Sequence, residues 1–141
     1  MNEQTFQNEE FLDETAKLEK DNGQAFGDLA RLFCHCLKWK HQPSYQEYSW
    51  VRSVKVAIKD LNKLVQRTNT RNYIIENISA AFDQGILDMV KETKILIADD
   101  QEARSEICFL TAVLSESYMK SWMSKYANPN KPDFLSKWIP T

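Results

Sequence analysis

The chain reads as an all-α protein, a single antiparallel helical bundle of about five helices with a short C-terminal amphipathic tail. Three observations predict this. Large apolar residues recur at steps of three and four through most of the chain, the period at which a helix returns to one face. Turn punctuation is scarce, with 3 glycines and 4 prolines in 141 residues, and a sheet of this length needs more. The prolines (Pro43, Pro129, Pro132, Pro140) fall between or beyond the periodic segments. One core suits this length, so residues 1–141 are taken as one helical domain.

Each element has its own signal. A modest stripe of Phe11, Leu12, Thr15 and Leu18 predicts a first helix over 5–19, and Asp21-Asn22-Gly23 then breaks or bends the chain. A second helix over 24–40 carries Phe26, Leu29, Ala30, Phe33, Cys36 and Leu37 at the helical period. Ala25, Leu32 and Trp39 widen that stripe, as expected of a central helix buried on more than one side. Pro43 stops it. Ser44-Tyr45-Gln46-Glu47 has the spacing of a capping box and opens a third helix reaching Arg67, with Trp50, Val51, Val54, Ile58, Leu61 and Val65 inward.

Thr68-Asn69-Thr70 is the next turn, with Thr70 offering a cap. A fourth helix over 71–94 turns Ile74, Ile75, Ile78, Phe82, Ile86 and Met89 inward, and Gly85 within it marks a close helix crossing. Ile95-Leu96-Ile97 reads equally as a helix end or a short extended run. Asp99-Asp100-Gln101-Glu102 starts a last long helix with acidic residues on the helix dipole; Ile107, Leu110, Thr111, Leu114 and Tyr118 carry it to about residue 126. A loop over 128–132 leads to the tail, where Phe134, Leu135, Trp138 and Ile139 suit a lid over the core.

Charge is near balance, −2 for the whole chain, but unevenly spread. Residues 1–28 hold eight acidic and two basic residues, and residues 37–71 hold eight basic and two acidic. The simplest account is that the acidic first helix neighbours the basic middle one. The acidic N-terminus lacks the features of a signal peptide, and no apolar run approaches the roughly 20 residues needed to cross a bilayer. Cys34, Cys36 and Cys108 make an odd count on predicted helices, which fits free thiols in a cytoplasmic protein.

The residues argue against several chemistries. Cys34-His35-Cys36 point about 100° apart in succession on a helix and cannot converge on one ion, so no metal is expected. A bundle di-iron site needs Glu-x-x-His, and Leu32 and Lys38 stand three before His35 and His41. A helical thiol among hydrophobes is inert, and glycine-rich phosphate loops and Gly-x-Ser-x-Gly are missing. No catalytic residue, cofactor or metal ligand is therefore assigned. Arg31 and His35, one turn apart, come nearest to the Arg-and-His pair of helical-bundle ribonucleases, but with three residues between them where that family has four to six; ribonuclease activity is a distant alternative.

Two binding surfaces remain. Arg52, Lys55, Lys59, Lys63 and Arg67 recur at steps of three or four on the third helix and span a sector of about 120°, clear of the apolar stripe. Such a line can follow a phosphate backbone or another polyanion. A solvated helix face is the plainer account, and no aromatic residue interleaves with these cations. The other surface is tryptophan. Trp39 and Trp50 suit the core, whereas Trp122 and Trp138, in the weaker C-terminal pattern, would make a surface for a protein partner or for self-association if exposed.

Residues 37–43, Leu-Lys-Trp-Lys-His-Gln-Pro, followed by Ser49-Trp50, carry a resemblance to domain-of-unknown-function family 29. That family's pattern is similar to His-Leu-Leu-Lys-Trp-Gln-x-Gln-Pro and then Ser-Trp. His35, Lys38, Trp39, Gln42, Pro43, Ser49 and Trp50 form the matching signature, and Ala81-Phe82 with Val90-Lys91-Glu92-Thr93 resembles its later helix. The resemblance covers about residues 11–96. Residues 97–141 diverge, lacking the family's Phe-Pro and Cys-Pro segments. It implies a small all-helical bacterial cytosolic protein of a kind abundant in cyanobacteria, and no activity. The function expected is a non-enzymatic protein–protein interaction module, with binding of nucleic acid or another polyanion by the third helix as the alternative.

Overall fold

The computed structural model describes residues 3–109, 115–131 and 133–138, with side chains from Asp13 onward. The described residues form helices and turns with no strand. The first helix, α1, runs unbroken over Glu3–His41, 39 residues or about 58 Å. The expected break at Asp21-Asn22-Gly23 does not occur. A glycine inside a helix costs only about 1 kcal/mol, and packing on either side of it outweighs that. Asp21 accepts a bond from Arg67 at 2.6 Å, and Ala25, Leu29, Leu32, Phe33, Cys36, Leu37 and Trp39 are all buried. α1 is the central helix, packed mainly on the third helix and then on the second.

The corner after α1 differs from the predicted capping box. Pro43–Tyr45 is a 3-10 turn that holds Ser44 and opens on Pro43. Gln46 is buried, and α2 begins only at Tyr48 and ends at Leu64. Glu47 occupies the N-cap position without a capping bond and accepts instead from Ser49 Oγ at 3.1 Å. Val51, Val54, Ile58 and Leu61 are buried as the stripe requires, with Trp50 and Val65 half-buried.

The third helix, α3, covers Thr68–Thr93. It starts before Thr70, which is therefore inside the helix and buried. Ile74, Phe82, Ile86 and Met89 are buried, whereas Ile75, expected inward, is 50% exposed. α2 runs antiparallel to α1, with Arg67 at Asp21 and Lys38 over Trp50. α3 returns parallel to α1, with Gly85 at Ala30 and Phe33 and Glu92 at Lys38. Gly85 is the close crossing expected: a Cβ there would lie 2.8 Å from Phe33 Cβ and 3.1 Å from the Cys34 nitrogen. α3 ends at Lys94, in the left-handed region with φ 64°. Residues 95–97 that follow are not helical.

Among the described residues, the predicted long helix from Asp99 is interrupted. α4 covers Gln101–Ile107 with Asp100 as N-cap, and α5 covers Glu116–Lys125 with Ser115 as N-cap. The helix stops at Cys108, and Ser115-Glu116 supplies a second start signal inside one apolar pattern. Leu110, Thr111 and Leu114 lie outside the described residues. The tail closes as a lid: a 3-10 turn over Phe134–Lys137, N-capped by Asp133, lies on α2 and α5 with Leu135 and Trp138 buried. Ile139 lies outside the described residues.

Candidate interaction surface

The basic face of α2 follows from its register. With Val51, Val54, Ile58 and Leu61 turned inward, the residues opposite face solvent. Arg52, Lys59 and Lys63 are exposed and Lys55 is half-buried. Arg67 does not belong to this line. It sits in the turn after α2 and binds Asp21. The remaining four cations lie within a sector of about 80° and over about 16 Å of axis. Among the described residues, none of the four has a carboxylate within ion-pair distance. Asp60, the acid nearest in sequence, faces α1, where its charge reaches Asp28.

Aromatic residues do adjoin this line. Tyr48, one turn before Arg52, is 40% exposed, packs its ring 6.1 Å from Phe134, and has the Lys137 ammonium 5.3 Å from its centroid. The tail thus adds a fifth cation beside the head of the line. Val56, 44% exposed, lies next to it in register. The signal for Tyr48 was its one-turn spacing from Arg52; the contribution of Lys137 depends on the path of the tail and has no local signal.

Trp122 and Trp138 do not form an exposed surface. They are 4% and 3% exposed, because the lid and α5 close onto the core together. Trp122 packs against Tyr126 at 4.9 Å, and the indole N–H of Trp138 donates to Glu116 at 3.4 Å.

The signature residues build the corner. Trp39 is buried and donates its indole N–H to the Met123 carbonyl at 2.8 Å. Lys38 pairs with Glu92 and lies over the Trp50 ring. The Gln42 N–H donates to the Lys38 carbonyl and its own carbonyl accepts from Tyr45. The Pro43 carbonyl accepts from Asn128. Gln46, the third residue of the expected capping box, holds this corner: its amide donates to the carbonyls of Trp39 and Tyr126 at 2.9 and 2.8 Å, and accepts from the Asn128 N–H at 2.9 Å.

Asp100 ties α4 to the end of α1. It accepts from Lys40 at 2.8 and 2.9 Å, pairs with His41 at 2.8 Å, and caps the Ala103 N–H at 3.0 Å. Burial works against its charge, but these bonds outweigh burial and hold its pKa below the ordinary value. Asp28 is the opposite case. It is 4% exposed and its Oδ2 has no hydrogen-bond partner. Burial, then the charge of Asp60, pushes its carboxyl above the usual range. Its position among Ala25, Leu29 and Leu32 was the available signal, an acid in the register of an apolar face.

His35 lines a groove of about 400 Å³ between α1 and α3, with Arg31, Cys34, Gln84, Asp88 and Glu92. Its Nδ1 lies 2.9 Å from the Arg31 carbonyl, a bond in which the ring donates, and burial lowers its pKa. Burial pushes the Cys34 thiol up to about 12 and the Cys108 thiol to about 11, and raises Cys36 as well. None of these thiols is an activated nucleophile. Among the described residues no cluster of three or more His, Cys, Asp or Glu is placed to hold a metal, and no helix is long and apolar enough to cross a membrane.

No curated protein and no solved structure matches this chain. The model of one family, described as Domain of unknown function DUF29, matches residues 3–119, from the start of α1 into α5 and so beyond the 11–96 expected. With its signature residues at the α1–α2 corner and most of its length inside that match, the chain belongs to the DUF29 family.

Proposed function

We propose that the chain is a non-enzymatic protein–protein interaction module whose working face is the basic line of α2, and that this face takes an acidic polypeptide surface. The observation that carries this reading is the set of four unpaired cations, Arg52, Lys55, Lys59 and Lys63. Acids elsewhere in the fold do find cations, as at Asp21, Asp83, Glu92, Asp99, Asp100 and Glu106. A charged face left open in this way speeds encounter with an opposite charge and selects partners. Val56 and Tyr48 add apolar contact of the kind a protein partner uses. The raised pKa values of Cys34 and Cys108 support a binding role over thiol catalysis. Free Cys34, Cys36 and Cys108 support a cytoplasmic setting.

The test is binding of polyglutamate, followed by titration calorimetry. Lys55→Glu with Lys59→Glu is expected to weaken it at least ~10-fold. Equal affinity in the variant would sink this reading. A second reading rests on the spacing of Lys55, Lys59 and Lys63, one helical turn apart, which suits a phosphate backbone. It predicts that duplex DNA outcompetes polyglutamate, with log K falling against log salt by ~0.9 per phosphate neutralised.

A further inference from the structure

The strongest unexplained feature lies at the far end of α1. α3 begins beside Thr15 and Leu18: these two residues and Glu14 share one cavity wall with Arg67, Thr68 and Asn69. α2 ends at Leu64, on the same side of the molecule. The helix nevertheless continues upstream to Glu3. Residues 3–13 therefore form a helical arm running about 16 Å past the α2–α3 turn. The described parts of α4, α5 and the lid meet α1 at its other end, around Trp39, Lys40 and His41.

The sequence of this arm is one-signed. Positions 3–14 hold Glu3, Glu9, Glu10, Asp13 and Glu14 and no basic residue. Glu9 and Asp13 are one turn apart, as are Glu10 and Glu14. Phe6, Phe11 and Leu12 supply apolar residues in the same stretch. The open face of α2 has the complementary character: Arg52, Lys55, Lys59 and Lys63 at one-turn steps, with Val56 exposed among them. The two also match in length, each about 16 Å. Within one chain the helix axis of α1 carries the arm away from the bundle at the end where the α2 line finishes.

We infer that the partner of the α2 face is the acidic arm of a second copy of this chain, exchanged reciprocally about a two-fold axis. This rests on the reading of the α2 face given above. Two copies set end to end at their α2–α3 turns place each arm alongside the other copy's α2, entering at Lys63 and running toward Arg52. The contact is then made twice, as an isologous dimer requires.

The test is sedimentation velocity on the full chain across concentration and salt, with circular dichroism to verify folding. Wild type is expected to be a dimer at micromolar concentration that dissociates as salt rises. An arm-reversed chain (Glu9→Lys, Glu10→Lys, Asp13→Lys) and a face-reversed chain (Lys55→Glu, Lys59→Glu, Lys63→Glu) should each be monomeric, with association weakened ~100-fold or more. Mixed in equal amounts, the two restore both contacts and should form a heterodimer. Excess polyglutamate should dissociate the wild-type dimer. A wild-type chain that stays monomeric at high micromolar concentration, or reversed chains that fail to pair, overturns the inference. If that monomer still binds polyglutamate through α2, the proposed function stands without it; if it binds none, both fall.

Discussion

The two ends of the packed part of α1 bury polar groups in opposite ways. Around Trp39 they are almost all paired. The indole reaches the Met123 carbonyl, the Gln46 amide serves three backbone groups, and Asp100 joins Lys40, His41 and the N-terminus of α4. Trp122 Nε1 is the exception. Toward the other end, Asn22 Oδ1, Asp28 Oδ2 and Thr70 Oγ1 are buried with no hydrogen-bond partner. An unpaired buried group costs about 1–3 kcal/mol, so the second region is held by apolar packing against an opposing polar term. A paired polar corner fixes one arrangement of the chain, whereas apolar packing tolerates several. The arm and the Lys63 end of the basic face adjoin the weaker end.

The largest effect that would test this contrast is Trp39→Ala. It empties a buried site and removes the indole bond to the Met123 carbonyl, which keeps only the Tyr126 N–H, and is expected to lower unfolding free energy by about 3–5 kcal/mol in urea titration. Gln46→Ala comes next. It removes no large volume but leaves three backbone groups unpaired, and should cost about 3 kcal/mol. A loss under about 1 kcal/mol would mean that water replaces the amide and that the corner is not specified by it.

Two acids sharpen the contrast by their opposite pH dependence. Asp100 has a native pKa below its unfolded value of about 3.9. Its contribution is present above that value and fades as pH falls through the native pKa. Asp28 has a native pKa above the same unfolded value. Stability therefore declines as pH rises from about 3.9 through the raised native pKa. Asp100→Asn should destabilise at neutral pH and flatten the acid side of the profile. Asp28→Asn should do the reverse, a smaller gain at neutral pH. Urea midpoints measured from acid to neutral pH read both signs, and a loss of neutral-pH stability in Asp28→Asn would show that the carboxylate is satisfied after all.

Much of the bundle was legible because apolar period is a local signal. Val51, Val54, Ile58 and Leu61 place α2, and Phe82, Ile86 and Met89 place α3. Gly85 was legible as a close approach. Punctuation was less so. Asp21-Asn22-Gly23 reads as a stop, but a helix interior tolerates these residues when burial on both sides repays their weak propensity. Ser44 and Glu47 have capping-box spacing, yet Pro43 tightens the chain into a 3-10 turn and moves the helix start. Ser115 ended the expectation of one long helix by capping a second. At the surface, the four cations were legible from spacing, while the pairing of Arg67 with Asp21 spans 46 residues and was not. The burial of Trp122 and Trp138 likewise depends on where the lid folds.

The Trp39 bond to Met123 spans 84 residues of chain, and Gln46 reaches Tyr126 across 80. By contrast α1, α2 and α3 are joined by short turns. Contacts between sequence neighbours close with less lost entropy, so the three-helix core is expected to form before the seam with α5. On the native side, the same order means that α5 and the lid can open as a unit while the core persists. Amides of α5 should then exchange with solvent well before those of α1, and the Trp39 indole, sitting on the seam, becomes the natural clock for its closure.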